Sequence, residues 1–211
     1  SAAWTAQQLG KSGEFWNVVT QWRLETGDPR YDAFLRREGP PYLRYRLSGD
    51  TGPLAQVLET TLLDVLRTNR PLRTTEVLFT DRVVVAANRG NANGIELLSA
   101  MLTGCHSAQG ASPYYHVAWD EAPATFTALV TATGRDHVTA DLFLHGSEPG
   151  RIGARFLRLS PGSYRVLATS AAGTLLDRRE DIRERAQRVS FDLPGDTLVT
   201  VSVSRVDELR R

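Results

Sequence analysis

The chain has 211 residues, of which 41% are hydrophobic and 23% charged, and its formal net charge is +1. This is the composition of a globular protein, and a charge so close to zero gives no electrostatic reason to expect nucleic acid or an anionic membrane as a partner. The one cysteine, Cys105, excludes a disulfide framework and a cysteine-based zinc site, and no apolar run approaches the roughly 20 residues that span a bilayer.

Helical spacing and clear stop signals organise the first part of the chain. Residues 12–25 predict a first helix, because apolar side chains recur there at i, i+3, i+4 and i+7. Gly27 suits a left-handed position at its C-terminus, Asp28 can cap a second helix, and Pro29 fits the first turn of that helix. The second helix is predicted to end near Glu38, because the Gly-Pro-Pro run that follows cannot continue it.

The same signals return further along the chain. A short helix is predicted over 42–47, Gly49 and Asp50 repeat the stop-and-cap pattern, and apolar residues from 54 to 66 predict a long helix. The offset between the two patterns is 22 residues at the aspartate and 23 at the preceding aromatic residue. Repetition at this scale predicts an array of helical hairpins, and a fifth helix is predicted over 94–103.

A long segment, 69–93, separates the fourth and fifth predicted helices. Its centre is rich in β-formers, and it ends in asparagine and glycine residues typical of loops. If the turns at Gly27 and Gly49 lie at one end of the array, this segment lies at the other end. Long loops gathered at one end of a scaffold are where binding and catalytic sites are usually built.

From about residue 122 the hydrophobic period changes from 3.6 to 2, which predicts short strands at the spacing of an antiparallel, Ig-like β-sandwich. Seven strands are predicted, centred on 126–130, 138–144, 152–156, 164–168, 173–177, 189–193 and 199–203. The run 177–185 has alternating charge and predicts a solvated loop or an exposed helical turn. The predicted fold class is α+β, with a helical-hairpin domain over 1–119 and a β-sandwich domain over 120–211.

The hairpin signature resembles that of a known group of proteins. An aromatic residue, Arg, Leu and a Gly-Asp turn between apolar helices, as in 22–28 and 45–50, is similar to the pattern of (α/α)-toroid, or six-hairpin, carbohydrate-active proteins. This group includes many glycoside hydrolases and polysaccharide lyases, and several place a β-sandwich beside the toroid. The order of helices, residues 114–119 and sandwich resembles the C-terminal end of such a protein.

The resemblance implies a polysaccharide-directed bacterial protein that is secreted or periplasmic. A full toroid needs many more helices than the five predicted here. The resemblance therefore also implies that further helices, from a longer chain or a second polypeptide, would complete the array.

Acidic and amide side chains of the 69–93 segment are the first candidates for chemistry. Glu76 and Asp81 are candidate catalytic carboxylates for general acid and base work on a glycosidic bond, and Arg82, Asn91 and Asn93 are candidate substrate-binding residues. Five residues of extended chain span roughly 16 Å, whereas paired glycosidase carboxyls lie about 5–9.5 Å apart, so the pair requires a bend. In the alternative interpretation, Asp81 and Arg82 form a local ion pair and Glu76 is solvated.

A second cluster of aromatic and histidine residues lies where the period changes. His116 is a candidate catalytic residue, and Tyr114, Tyr115 and Trp119 are candidate sugar-stacking residues. In the alternative, these side chains seal the junction between helices and sandwich, because large aromatics dominate such contacts. Cys105, near a predicted helix end, is interpreted as a packing residue.

The sequence leaves two main functions open, besides a hydrolase or lyase of another substrate class that would use His116. The first is a polysaccharide-directed protein, a glycoside hydrolase or polysaccharide lyase if it is an enzyme, with its site at the 69–93 end of the helical half. The second is a non-catalytic interaction or structural module that packs on a partner chain or on missing helices, which an exposed apolar helical face would favour. No cofactor is predicted, and His137 and His145 lie in strand patterns without a second ligand at metal spacing.

Overall fold

The computed structural model describes five stretches of the chain, which are residues 19–20, 22–23, 26–74, 92–105 and 115–206. These residues fall into two compact units, one extending to Ala100 and one formed by Met101–Cys105 together with 115–206. The first unit is helical and the second consists mainly of two antiparallel sheets, so the chain is α+β, as predicted. The predicted domain boundary between residues 119 and 120 stays a prediction.

The helices follow the periodicity of the sequence. The described residues between 19 and 26 are helical, and the described residues that follow them form four complete helices. A 3₁₀ turn, Pro29–Tyr31, leads into α1, Asp32–Glu38, and then come α2, Pro41–Ser48, α3, Gly52–Thr74, and α4, Ala92–Thr103. Helix α3 runs through Pro71, so the first six residues of the predicted 69–93 segment are helical. None of the described helices combines the length and the hydropathy needed to cross a membrane.

The first helix-to-helix turn is built as its residue types predict. Gly27 has a φ of 71°, and its amide donates to the Arg23 carbonyl at 3.0 Å. The Asp28 amide donates to Thr26 Oγ1 at 3.1 Å, and Asp28 Oδ1 accepts from the Arg30 amide at 3.0 Å. A left-handed glycine thus ends one helix, and a carboxylate caps the next.

The second turn, between α2 and α3, repeats this geometry. Gly49 has a φ of 76°, and its amide donates to the Tyr45 carbonyl at 2.7 Å. The Asp50 amide donates to Ser48 Oγ at 3.1 Å, and Asp50 Oδ1 accepts from the Gly52 amide at 2.9 Å. The offset is 22 residues at each of these turn positions, so Trp22 and Tyr45, which are 23 residues apart, do not occupy equivalent positions of the repeat.

A small apolar core and one ion pair hold the first helices together. Val19, Leu35 and Leu43 are buried against one another. The Arg23 guanidinium donates to both carboxylate oxygens of Asp32, at 2.5 and 3.1 Å. This bidentate pair is the strong, planar form of the arginine–carboxylate contact, and it ties the helical residues before the first turn to α1.

Eight strands form the second unit, and all seven predicted strands are confirmed. They are β1, Val117–Asp120, β2, Phe126–Thr133, β3, His137–Leu144, β4, Gly150–Phe156, β5, Gly162–Ser170, β6, Gly173–Ile182, β7, Arg188–Leu193, and β8, Leu198–Arg205. One sheet has the order β1-β4-β7 and the other the order β2-β3-β8-β5-β6, with antiparallel pairing throughout. Alternate residues of both sheets, such as Leu142, Val166, Ile152 and Phe191, share one buried core, which makes the unit sandwich-like.

The prediction of a solvated loop or an exposed helical turn over 177–185 is wrong for residues 177–182, because these residues belong to strand β6. Strand β6 pairs with β5 from Gly173 to Ile182 and lies at the edge of the five-stranded sheet. Arg178 is on the same face as the core residue Val166, and its Nη2 donates to the Ser190 carbonyl of β7 at 2.8 Å. An edge strand tolerates charge on both faces, so its alternation does not reveal the strand.

Candidate functional site

Most of the residues predicted to form a site lie outside the part of the chain that the structure describes. These residues are Glu76, Asp81, Arg82, Asn91 and Tyr114. Asn93 lies in the first turn of α4. The roles assigned to all six stay predictions.

His116 lies just before β1 and is tied by its backbone to two elements. Its amide donates to the Thr103 carbonyl at 2.9 Å, and its carbonyl accepts from the Leu157 amide at 2.8 Å. The residue is buried, with 7% of its surface exposed. A buried histidine at this place does not line an open surface for a polymer, and its catalytic role stays a prediction.

Trp119, on β1, is occupied by contacts within the second unit. Its indole Nε1 donates to the Leu102 carbonyl at 2.7 Å, and its ring meets that of Phe126 edge to face, with centroids 5.4 Å apart. Trp119 also packs on the core of the sandwich, whereas Tyr115 is half-buried. These contacts favour the interpretation of Trp119 as a residue that seals the junction between the end of α4 and the strands.

The other described histidines, His137 and His145, form local pairs. His137 Nδ1 lies 2.8 Å from Asp136 Oδ1, and this hydrogen bond holds the pKa of Asp136 below its usual range. His145 Nε2 lies 3.1 Å from Thr127 Oγ1. Within the described ranges, no group of three or more His, Cys, Asp or Glu residues could hold a metal ion.

An ionic cluster that sequence reasoning did not predict covers the outer face of the three-stranded sheet. Arg155 Nε donates to Asp120 Oδ2 at 2.7 Å, and Arg188 Nε lies 3.2 Å from Asp120 Oδ1. Arg188 also pairs with Glu121. Gly153 makes room for the cluster, because a Cβ there would collide with Asp120 and lie 2.7 Å from Arg188 Nε. Two carboxylates at the end of β1 thus pair with two arginines on β4 and β7, and these ion pairs stabilise the pairing of the three strands.

The outer face of the five-stranded sheet carries an aromatic patch, formed by Thr127, Phe143, His145 and Leu198. Thr127, Phe143 and Leu198 are register partners on β2, β3 and β8. The rings of Phe143 and His145 meet edge to face, with centroids 4.7 Å apart and an interplanar angle of 67°. Leu198 is 59% exposed and Phe143 is half-buried, so an apolar and aromatic surface is open to solvent here.

The other end of the same face is charged. Arg165 donates to both oxygens of the Asp177 carboxylate, at 2.8 and 2.7 Å, and this contact lowers the pKa of Asp177. Between the two ends, Asp141 accepts a hydrogen bond from Thr200 Oγ1 at 2.7 Å. The face therefore divides into an aromatic end with few charges and an end occupied by ion pairs.

The helices also expose apolar side chains. On α3, the adjacent residues Leu62 and Leu63 are 58% and 53% exposed. Trp22 is 45% exposed and Leu98 is 40% exposed. Large exposed apolar residues that lie together are typical of surfaces that meet a partner.

Comparison with known proteins identifies no family for this chain. No protein-family model and no curated protein matches it. The solved structures that it is similar to include a glycoside hydrolase family 30 subfamily 8 xylanase from Clostridium acetobutylicum, with a TM-score of 0.30 and 13% identity over 39% of this chain and 21% of that one. A family 44 xyloglucanase from Paenibacillus polymyxa has a TM-score of 0.28 and 8% identity over 39% of this chain and 17% of that one.

A third solved structure, KdgF from Halomonas sp., has a TM-score of 0.20 and 13% identity over 42% of this chain and 88% of that one. The chain thus spans about a fifth of the length of the two hydrolases. TM-scores of this size carry no argument about its fold or its activity.

Proposed function

We propose that the chain is a polysaccharide-directed protein in which a helical-hairpin array, similar to part of an (α/α) toroid, precedes an Ig-like β-sandwich. The observation that supports this proposal is the repeated turn around Gly27 and Gly49, which keeps the same hydrogen bonds at a constant offset of 22 residues. A helix–turn–helix unit that recurs with one geometry is the building block of a helical array. The proposal places the protein outside the cytoplasm of a bacterium.

The proposed site lies in the 69–93 segment, most of which falls between the end of α3 at Thr74 and the start of α4 at Ala92. The sequence of this segment predicts a long loop, the kind of element on which binding and catalytic sites are usually built. Glu76 and Asp81 are proposed as the acid and base of a glycoside hydrolase or polysaccharide lyase. Arg82 and Asn91 are proposed to bind the substrate.

The test is product formation on a panel of neutral and acidic polysaccharides. New reducing ends report hydrolysis, and unsaturated uronate products, which absorb in the ultraviolet, report elimination. Glu76→Gln and Asp81→Asn are each expected to lower the rate by about 100-fold or more, the usual contribution of a general acid or base. The matched control is Glu59→Gln, an exposed position on α3, which should leave the rate unchanged. Absence of product on every polymer would reject the catalytic proposal.

The exposed pair Leu62 and Leu63 favours a second candidate, a non-catalytic module that packs on a partner polypeptide. Light scattering on the full chain should then give a mass above that of the 23.3 kDa monomer. The double change Leu62→Ser and Leu63→Ser should restore the monomer mass, whereas Leu175→Ser, at a residue 46% exposed on β6, should not. A monomeric wild-type chain would contradict self-association through this face.

A further inference from the structure

The aromatic patch on the five-stranded sheet has the dimensions of a small binding platform. Neighbouring strands lie about 4.8 Å apart, so the row of register partners from Thr127 through Phe143 to Leu198 spans roughly 10 Å. That is about the length of two linked pyranose rings. All three residues are on the face opposite the core, because the flanking Ala128, Leu142 and Val199 are buried.

The patch is also ordered before any ligand arrives. The Phe143 ring packs against the imidazole of His145, and the imidazole is in turn hydrogen-bonded to the Thr127 hydroxyl at 3.1 Å. Side chains held in this way lose little conformational freedom on binding, which lowers the cost of association. The platform combines an aromatic ring, whose π-face suits the C–H groups of a sugar, with hydroxyl and imidazole groups that can exchange hydrogen bonds with sugar hydroxyls.

The charges around the aromatic patch favour a neutral ligand over an anionic one. The arginines of this face, Arg165 and Arg179, are register partners at its other end, where Arg165 is engaged with Asp177. Two carboxylates lie beside the patch, because Asp141 accepts from Thr200 Oγ1 and Asp196 accepts from the Gly146 amide. Among the described residues of this face, a polyanion would therefore meet carboxylates at the border of the patch, with the arginines at the far end. A protein partner would need about 800 Å² on each side of an interface, which four residues do not supply. A neutral sugar chain requires neither charge nor a large area.

We propose that the aromatic patch binds a neutral oligosaccharide, with Phe143 as the stacking residue and Thr127, His145 and Leu198 around it. This inference rests on the proposed polysaccharide-directed function for its ligand class. It adds a binding site on the sandwich that is separate from the residues proposed for catalysis.

The test is calorimetric titration of the full chain with cellohexaose, xylohexaose and mannohexaose, with an oligogalacturonate as the charged comparison. Phe143→Ala and Leu198→Ser should each weaken binding of the neutral ligand by about twofold to tenfold, the range expected for one aromatic or apolar contact. Leu175→Ser, on β6 of the same sheet, is the matched control and should bind as the wild type does. Thermal unfolding of each variant checks the fold, which these outward-facing positions should leave intact.

The outcomes separate this inference from the catalytic proposal. Binding that is weakened by Phe143→Ala but unchanged by Glu76→Gln and Asp81→Asn supports the patch, whether or not any polymer is cleaved. Binding that is lost only in the two carboxylate variants places the ligand elsewhere and overturns the patch, while the proposed function stands. Failure of the wild type to bind any of the three neutral hexaoses, or tighter binding of the oligogalacturonate, also overturns it.

Discussion

Tyr164 gives the most direct test of how the sandwich is held together. Its ring is fully buried in β5, and its hydroxyl donates to the Ser160 carbonyl at 2.6 Å. The Ser160 amide donates in turn to the Arg135 carbonyl at 2.8 Å, which connects the turn before β5 to the turn between β2 and β3. Tyr164→Phe removes the hydroxyl and keeps the ring, so it isolates this connection from the packing.

The size of the effect follows from the lost hydrogen bond. A typical intramolecular hydrogen bond contributes about 0.5–1.5 kcal/mol, and a partner left unsatisfied in a half-buried place adds to the loss. Tyr164→Phe should therefore lower the free energy of unfolding of the second unit by about 1–2 kcal/mol at pH 7. For a unit of this size, each kcal/mol shifts the midpoint temperature by roughly 4–8 °C.

The loss of unfolding free energy caused by Tyr164→Phe should become smaller at high pH. Burial raises the pKa of Tyr164 above its usual value of 10.0. A group whose folded pKa is raised contributes its full stability below the unfolded pKa and loses it as pH rises through the folded pKa. Wild type should therefore lose stability above pH 10, whereas Tyr164→Phe has no such group, and the gap between the two should narrow.

Urea unfolding followed by fluorescence at pH 7 and above pH 10 measures both effects. Tyr31→Phe, in the helical unit, controls for the loss of one ionisable hydroxyl. Equal stability of Tyr164→Phe and wild type at pH 7 would refute the assigned hydrogen bond. A deficit that stays constant above pH 10 would refute the role of burial.

Two further substitutions test the ionic cluster and the repeated turn. Gly153→Ala pushes a Cβ against Asp120 and should destabilise the second unit by about 1–3 kcal/mol. In the control, Gly134→Ala, the added Cβ meets only the ends of two exposed side chains, and stability should stay within about 0.5 kcal/mol of wild type. If Gly153→Ala and Gly134→Ala gave the same thermal unfolding curve, the packing argument would be contradicted. Asp50→Ala removes the acceptor for the Gly52 amide and should cost about 0.5–2 kcal/mol of helix stability, seen as an earlier loss of helical circular dichroism, and an unchanged midpoint would show that the cap contributes nothing.

The elements that the sequence predicts correctly are those with local causes. Helix ends are set by residues that the helix itself needs, and Gly27, Gly49 and Gly104 all have positive φ where the periodic pattern stops. Six of the seven predicted strands likewise carry their own alternation, because one face of each is buried in a shared core. In both cases the signal lies within a few residues of the element.

The elements that the sequence misses depend on a distant partner. Strand β1 has four residues, too few to show a period, and it forms because it pairs with β4 from Val117 opposite Phe156 to Asp120 opposite Gly153. The second half of β6, residues 177–182, carries charges on both faces and continues the predicted strand because β5 pairs along its length. Neither pairing can be derived from the local pattern, since strand register is set by the whole sheet.

The aromatic patch and the ionic cluster depend on strand register even more than the strands themselves do. Phe143, on β3, and His145, directly after β3, lie two residues apart on the side that the pattern assigns to solvent, which could have marked them as exposed aromatic residues. Their grouping with Thr127 and Leu198 requires the pairing of β2, β3 and β8. The ionic cluster is hidden in the same way, because Asp120 and Arg188 are far apart in sequence and meet only across β4.

The two proposed sites differ in what each one needs from the rest of a helical array. The aromatic patch uses residues of three neighbouring strands, and all of its contacts lie within the second unit. The proposed catalytic site in the 69–93 segment belongs to the helical half, where a toroid would surround it with further helices. If such helices are required, this chain should bind neutral sugars through Phe143 while it fails to cleave them. Binding and cleavage that are lost together in Glu76→Gln, but not in Phe143→Ala, would instead place both activities in the helical half.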